Sequence, residues 1–170
     1  MRPGATAPPP AAPPPEESER ASVAGAIYGS ILVTAVIAGF SEHHAPASEI
    51  FASVVATSVV FWLAHVYAEA LASSATGGRA LSLHLIRVLM AQEWPLVEAA
   101  ALPLVPLTAA WIGLISTDTG VSIALGLGVF DLFAWGFNLG RRRGARLPLV
   151  SGLFAAALGL VVVALKVAVH

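Results

Sequence analysis

The chain has no cysteine. Disulfides, thiolate catalysis and cysteine-ligated zinc or iron–sulfur centres are therefore excluded. Charge is scarce as well. Only 11% of the 170 residues are Asp, Glu, Lys or Arg, against about 25% in an average soluble domain. Lys166 is the single lysine, beside eight arginines. H-E-x-x-H, G-x-S-x-G and glycine-rich phosphate loops are all missing. The formal net charge of −1 says nothing about nucleic acid by itself, because the charges are segregated by segment, and no nucleic-acid partner is expected.

What the chain does have is apolar surface in long blocks: 57% hydrophobic residues and a mean hydropathy of +0.81. Five blocks run over about 22–40, 49–72, 94–116, 120–139 and 147–169. Each is near the ~20 residues that a helix needs to cross about 30 Å of hydrocarbon. A helix satisfies its own backbone hydrogen bonds, which lipid cannot do. The expected fold is all-α: a polytopic membrane protein, a bundle of five transmembrane helices over 22–170. Basic residues give an orientation. Five spans place the tail and the segments 73–93 and 140–146 on one side, with Arg2, Arg20, Arg79, Arg87, Arg141, Arg142, Arg143 and Arg146. The opposite loops, 41–49 and 117–120, hold no Lys or Arg. The positive-inside rule then puts the N-terminus in the cytoplasm and the C-terminus outside. Alanine and arginine usage suggests a high-GC bacterium, and hence its plasma membrane.

Residues 1–21, rich in Pro, Ala and Glu, cannot form a core. They read as a disordered, partly polyproline-like cytoplasmic tail, with the following block an uncleaved helix. In 79–92, Leu81, Leu85, Val88 and Leu89 recur at helical spacing. That segment is an interfacial amphipathic helix or a kinked extension of the third span broken at Pro95. Gly77 and Gly78 stop the helix before it.

Ionisable groups inside the blocks raise the functional question, since each costs about 2.5–3.5 kcal/mol at the bilayer centre. In "VVFWLAHVYAEALASS", His65 and Glu69 share a helix face with Ser58, and Tyr67 stands between them. Glu98 lies near the start of the third block, Asp131 and Asn138 share a face of the fourth, and Tyr28 and Ser30 sit in the first. All fall at a similar depth, toward the cytoplasmic side. If they face inward, His65, Glu69, Glu98 and Asp131 converge on one cavity, with Tyr28, Ser58, Tyr67 and Asn138 in support. Such a set can ligate a divalent cation such as Mn²⁺, Fe²⁺ or Zn²⁺, the only cofactor suggested, or relay a proton through the imidazole.

Each group has a plainer reading. Glu98 follows Pro95 into a first helical turn, where the macrodipole favours an anion. Glu69 can reach the headgroups. His65 can donate to a neighbouring backbone. Arg141, Arg142, Arg143 and Arg146 fix topology and contact anionic headgroups. The loop pair His43 and His44 carries weak metal-binding character. Small residues at spacing four (Gly25/Gly29; Gly136/Gly140; Ser151/Ala155/Gly159) allow close helix approach within the bundle or between subunits of a homo-oligomer. Pro95, Pro103 and Pro106 should bend the third span.

The stretches "IYGSILVTAVIAG", "VVFWLAHVYAEAL", "EWPLVEAAALP" and "GLVVVALK" resemble those of bacterial, actinobacterial-type multi-pass membrane proteins of unknown function. That resemblance implies a fold and no activity. The opening "IYGS…VTAVIAG" is also similar to the first span of the vacuolar iron transporter family, which has five spans and a cytoplasmic N-terminus. That family has an Asp soon after the Tyr-Gly pair, where this chain has Ile31 and Leu32, so the similarity is one of topology. Three functions stay open: a proton- or cation-linked transporter or ion-binding protein, a non-catalytic scaffold or accessory protein, and an intramembrane metal-dependent enzyme. Catalysis is the least expected of the three.

Overall fold

A repeat of small and apolar residues at i, i+3 and i+4 gives the first helix one buried stripe: Gly25, Ala26, Gly29, Ser30, Val33, Thr34, Ile37 and Ala38. In a computed structural model that stripe is the axis of the molecule. The structure describes residues 15–41, 45–77, 82–142 and 148–168. They form seven helices: α1 (Pro15–Ser41), α2 (Ala47–Gly77), α3 (Leu83–Gln92), α4 (Trp94–Glu98), α5 (Ala101–Trp111), α6 (Thr117–Arg142) and α7 (Pro148–Ala168). No strand occurs among the described residues. Three helical stretches are long and apolar enough to cross a membrane: Ser22–Phe40, Ala47–Ala75 and Thr117–Arg142. A fourth arises if Leu83–Glu98 and Ala101–Trp111, bent by 53°, count as one broken span. The described side chains of α7 cover a shorter apolar run, Pro148–Val161.

Several boundaries differ from expectation. The helix begins at Pro15, so residues 15–21 of the expected disordered tail are helical; proline is tolerated in a first turn because its missing N–H has no partner there anyway. Residues 1–14 lie outside the described part, as do His43, His44, Gly78, Arg79, Arg143 and Arg146. The α2 helix runs to Gly77, 31 residues in all, about 46 Å at 1.5 Å per residue. The α3 helix starts where Ser82 accepts a bond from the Leu85 N–H at 3.2 Å. It packs along the end of α2 through Val66, Ala70 and Leu89, with Trp62 Nε1 donating to the Met90 carbonyl at 3.1 Å.

The third span, expected over 94–116, is two helices, α4 and α5, with α3 leading into them as a third piece. One bend falls at Glu93, between α3 and α4, and the other at Ala99–Ala100. Pro103 has no N–H for the Ala99 carbonyl, and its ring crowds that carbonyl. The Ala100 N–H bonds to Val97 instead, three residues back. The α5 helix ends in a Schellman turn. Leu114 N–H bonds to Ala109, Gly113 N–H to Ala110, and Gly113 takes φ +78°. Ser116 then caps α6 by accepting from the Thr119 N–H at 3.2 Å.

The core joins α1, α2, α5 and α6 through Val33, Ile37, Ile50, Val54, Leu107, Val121 and Ala124. The outer faces are apolar as well: Val105 is 65%, Phe130 59% and Phe154 72% exposed. Such a surface is compatible with lipid and foreign to a water-facing bundle. Small residues set the close contacts. A Cβ on Gly29 would come within 2.5 Å of the Leu96 carbonyl of α4. One on Gly136 would come within 2.6 Å of the Ser151 carbonyl of α7. The stripes expected to serve packing or subunit pairing therefore serve packing inside one chain.

Candidate functional site

Successive residues of a helix point 100° apart, and this spacing distributes the partners of α1. Gly25 and Gly29 face α4. Tyr28, one step back from Gly29, faces α2. Its ring centroid lies 5.4 Å from that of His65 and 6.1 Å from that of Phe61. Ser30, one step forward, faces α6, where its Oγ donates to Asp131 Oδ2. The same Oγ lies 2.9 Å from the Ala26 carbonyl. Thr34 Oγ1 donates to the Ser30 carbonyl at 2.7 Å, and Gly128 of α6 leaves room for the Thr34 side chain. The Ser30–Asp131 pair thus ties α1 to α6 across 101 residues of sequence.

These positions correct the expectation of one shared cavity. Tyr28 and Ser30 are two residues apart, about 200° around α1, so α1 stands between His65 and Asp131. Among the described residues, no three His, Asp or Glu side chains are placed to hold a metal ion. The divalent-cation set of His65, Glu69, Glu98 and Asp131 does not assemble.

His65 Nδ1 lies 3.1 Å from the Phe61 carbonyl. A carbonyl can only accept, so Nδ1 carries the hydrogen. Glu69 is exposed, and Tyr67 points away from both at 65% exposure. The carboxylate that does come near this pair is Glu93, which sequence reasoning missed. It stands at the α3–α4 bend, partly buried, and feels the charges of both His65 and Glu69. Its Oε2 lies 3.8 Å from where a Cβ on Gly25 would be. Its signal in the sequence was the Glu-Trp-Pro stretch, where a proline marks a helix boundary.

Ser58 lies on the face of α2 that carries His65 and Glu69, about two turns away from His65, and meets different neighbours. It is 2% exposed, its Oγ has no partner, and it lines a groove with Glu98 between α2 and α4–α5. Glu98 is the last residue of the five-residue α4, so no helix N-terminus supports its charge. Asn138 is exposed between two shallow clefts at the end of α6. The Arg141 guanidinium there lies 5.9 Å from the centroid of the Phe137 ring, a weak cation–π contact. Arg142 lines one of those clefts, beside Ser22 and Trp135. Polar groups thus occupy four separate places: the α1–α6 joint, the α1–α2–α3 junction, the α2–α4–α5 groove and the clefts at the end of α6. No family model, no curated protein and no solved structure matches this chain.

Proposed function

We propose that this chain is a multi-pass integral membrane protein of accessory type, whose intramembrane polar groups hold its own helices in register. In this reading α1, α2, the broken α3–α4–α5 unit, α6 and α7 are five spans. The N-terminus is cytoplasmic and the C-terminus outside, in a bacterial plasma membrane. The observation that carries the reading is the Ser30–Asp131 pair: the most deeply placed carboxyl of the sequence is engaged by a neighbouring helix. Polar pairs between helices act as such ties in lipid. The lipid bilayer is the partner implied, and a homo-oligomer would have to use faces other than the small-residue stripes.

The test is flux against assembly. Asp131→Asn in proteoliposomes should leave the protein folded, with no proton or Mn²⁺ flux to lose. Topology is tested separately, and the absence of native cysteine makes that clean. A single cysteine at Asp118 should be labelled only from outside the cell, and one at Arg141 only after the cytoplasmic side is opened.

A second reading, the proton- or cation-linked transporter, is favoured by one observation. Glu93, beside a broken helix, lies within electrostatic reach of His65 and Glu69, and broken helices beside polar groups recur in transporters. Proton flux that Glu93→Gln abolishes would establish it in place of the accessory reading. The metal-dependent enzyme is not proposed, since the described residues offer no ligand set.

A further inference from the structure

We propose that the groove between α2 and the broken α4–α5 helix is a binding site for amphipathic organic cations, molecules that join an apolar body to a protonated amine. This goes beyond the accessory reading and stands on its own observations. The groove has a cavity volume of about 440 Å³, within the range of sites for small organic ligands. Val55, Ala101 and Leu104 make its walls apolar. Two polar groups interrupt them, and both lack partners. The Ser58 hydroxyl, 2% exposed at the floor, makes no hydrogen bond. The exposed Glu98 carboxyl has no hydrogen bond or ion pair among the described residues.

An orphaned buried hydroxyl is destabilising, and an unpaired carboxylate in hydrocarbon is more so. A ligand that satisfied both would recover those costs on binding. Charge decides its class. Among the described residues, Glu98 is the groove's only ionisable side chain. It repels an anionic headgroup and gives a neutral acyl chain nothing to pair with. An ammonium pairs with it and brings N–H donors, and one of these reaches the covered Ser58 Oγ when the ligand parts the lining above it.

The fourth feature is aromatic. The Trp94 ring lines the groove while 46% exposed. Trp62 braces it edge-on at 5.6 Å, with its own Nε1 tied to the Met90 carbonyl. A fixed indole face beside a carboxylate attracts cations doubly. The bend at Ala99–Ala100 is what opens the space, since Glu98 and Ala101 line the groove on either side of the break.

The test uses the full chain in phosphatidylcholine nanodiscs. The probe is dansylcadaverine, a fluorescent primary amine, compared with its neutral N-acetylated form. Wild type should bind the amine saturably and about tenfold or more tightly than the acetylated form, as a hydrogen bond to a charged group provides. Glu98→Gln should erase that preference, and Ser58→Ala should weaken amine binding by about threefold. Glu49→Gln, on the exposed start of α2, should bind like wild type and confirms that a lost carboxylate alone does not matter. Equal binding of both probes by wild type overturns the proposal in favour of an apolar lipid site. A preference that survives Glu98→Gln, or no saturable binding at all, overturns it as well.

Discussion

Replacing Ser30 by alanine removes the one hydroxyl through which α1 reaches Asp131 of α6. Ser30 is 1% exposed, so no solvent takes its place. Interhelical hydrogen bonds in membrane proteins average about 0.6 kcal/mol and reach about 1.7. A partly buried acceptor left without its donor adds about 1 kcal/mol or more. Ser30→Ala should therefore cost about 1–2 kcal/mol, lowering the melting temperature by about 3–6 °C for a chain of this size. Asp131→Asn should behave differently. One hydroxyl hydrogen faces two acceptors, Ala26 O and Asp131 Oδ2. Asparagine keeps an accepting oxygen and adds an N–H that can donate to Ser30 Oγ, leaving the hydroxyl hydrogen for Ala26. The variant should stay within about 0.5 kcal/mol of wild type. Unfolding in mixed micelles, run as a double-mutant cycle of Ser30→Ala with Asp131→Ala, which does remove the pairing, measures the coupling, which should be about 1 kcal/mol. If Ser30→Ala unfolds like wild type, or the two substitutions simply add, the pair carries no energy and the accessory reading loses its support.

Gly29→Leu should destabilise the fold by about 2 kcal/mol or more through overpacking, because its Cβ would press on the Leu96 carbonyl at 2.5 Å. Gly126→Ala, with nothing within 4 Å, should be tolerated or gain about 0.5–1 kcal/mol of helix propensity in the same unfolding assay. At Gly113 the surroundings are open but φ is +78°, so alanine there should cost about 1 kcal/mol from backbone strain alone. Trp62→Phe keeps most of the aromatic contact with Trp94 and loses the bond to Met90. A loss of about 0.5–1.5 kcal/mol is expected, with faster hydrogen exchange at the α3–α4 bend.

The long helices were legible in the sequence, and the direction each side chain takes around them was not. Hydropathy located every long helix because each span needs about 20 apolar residues. The order of the spans then placed Tyr28, His65, Glu98 and Asp131 at one level. Which of these meet depends on rotation about each helix. Tyr28 and Ser30 are neighbours in sequence, yet one faces α2 and the other α6. The glycine pairs were readable as close contacts, though not which helix each would meet. The prolines announced a bend, but its position decided everything about Glu93 and Glu98. A break at Ala99–Ala100 makes Glu98 the end of a short helix. The bend at Glu93 brings a residue that reads as loop within electrostatic reach of His65 and Glu69.

The central placement of α1 has a consequence for biogenesis. A ribosome releases α1 before α2 to α7, while the carboxyl that receives Ser30 lies 101 residues downstream. At about 5–20 residues per second, Ser30 waits roughly 5–20 s for that partner. Until α4 and then α6 emerge, the glycines and hydroxyls shaped for them have only lipid, α2 or the insertion machinery beside them. A segment made ahead of its partners is thus finished late, and errors in assembly should collect there.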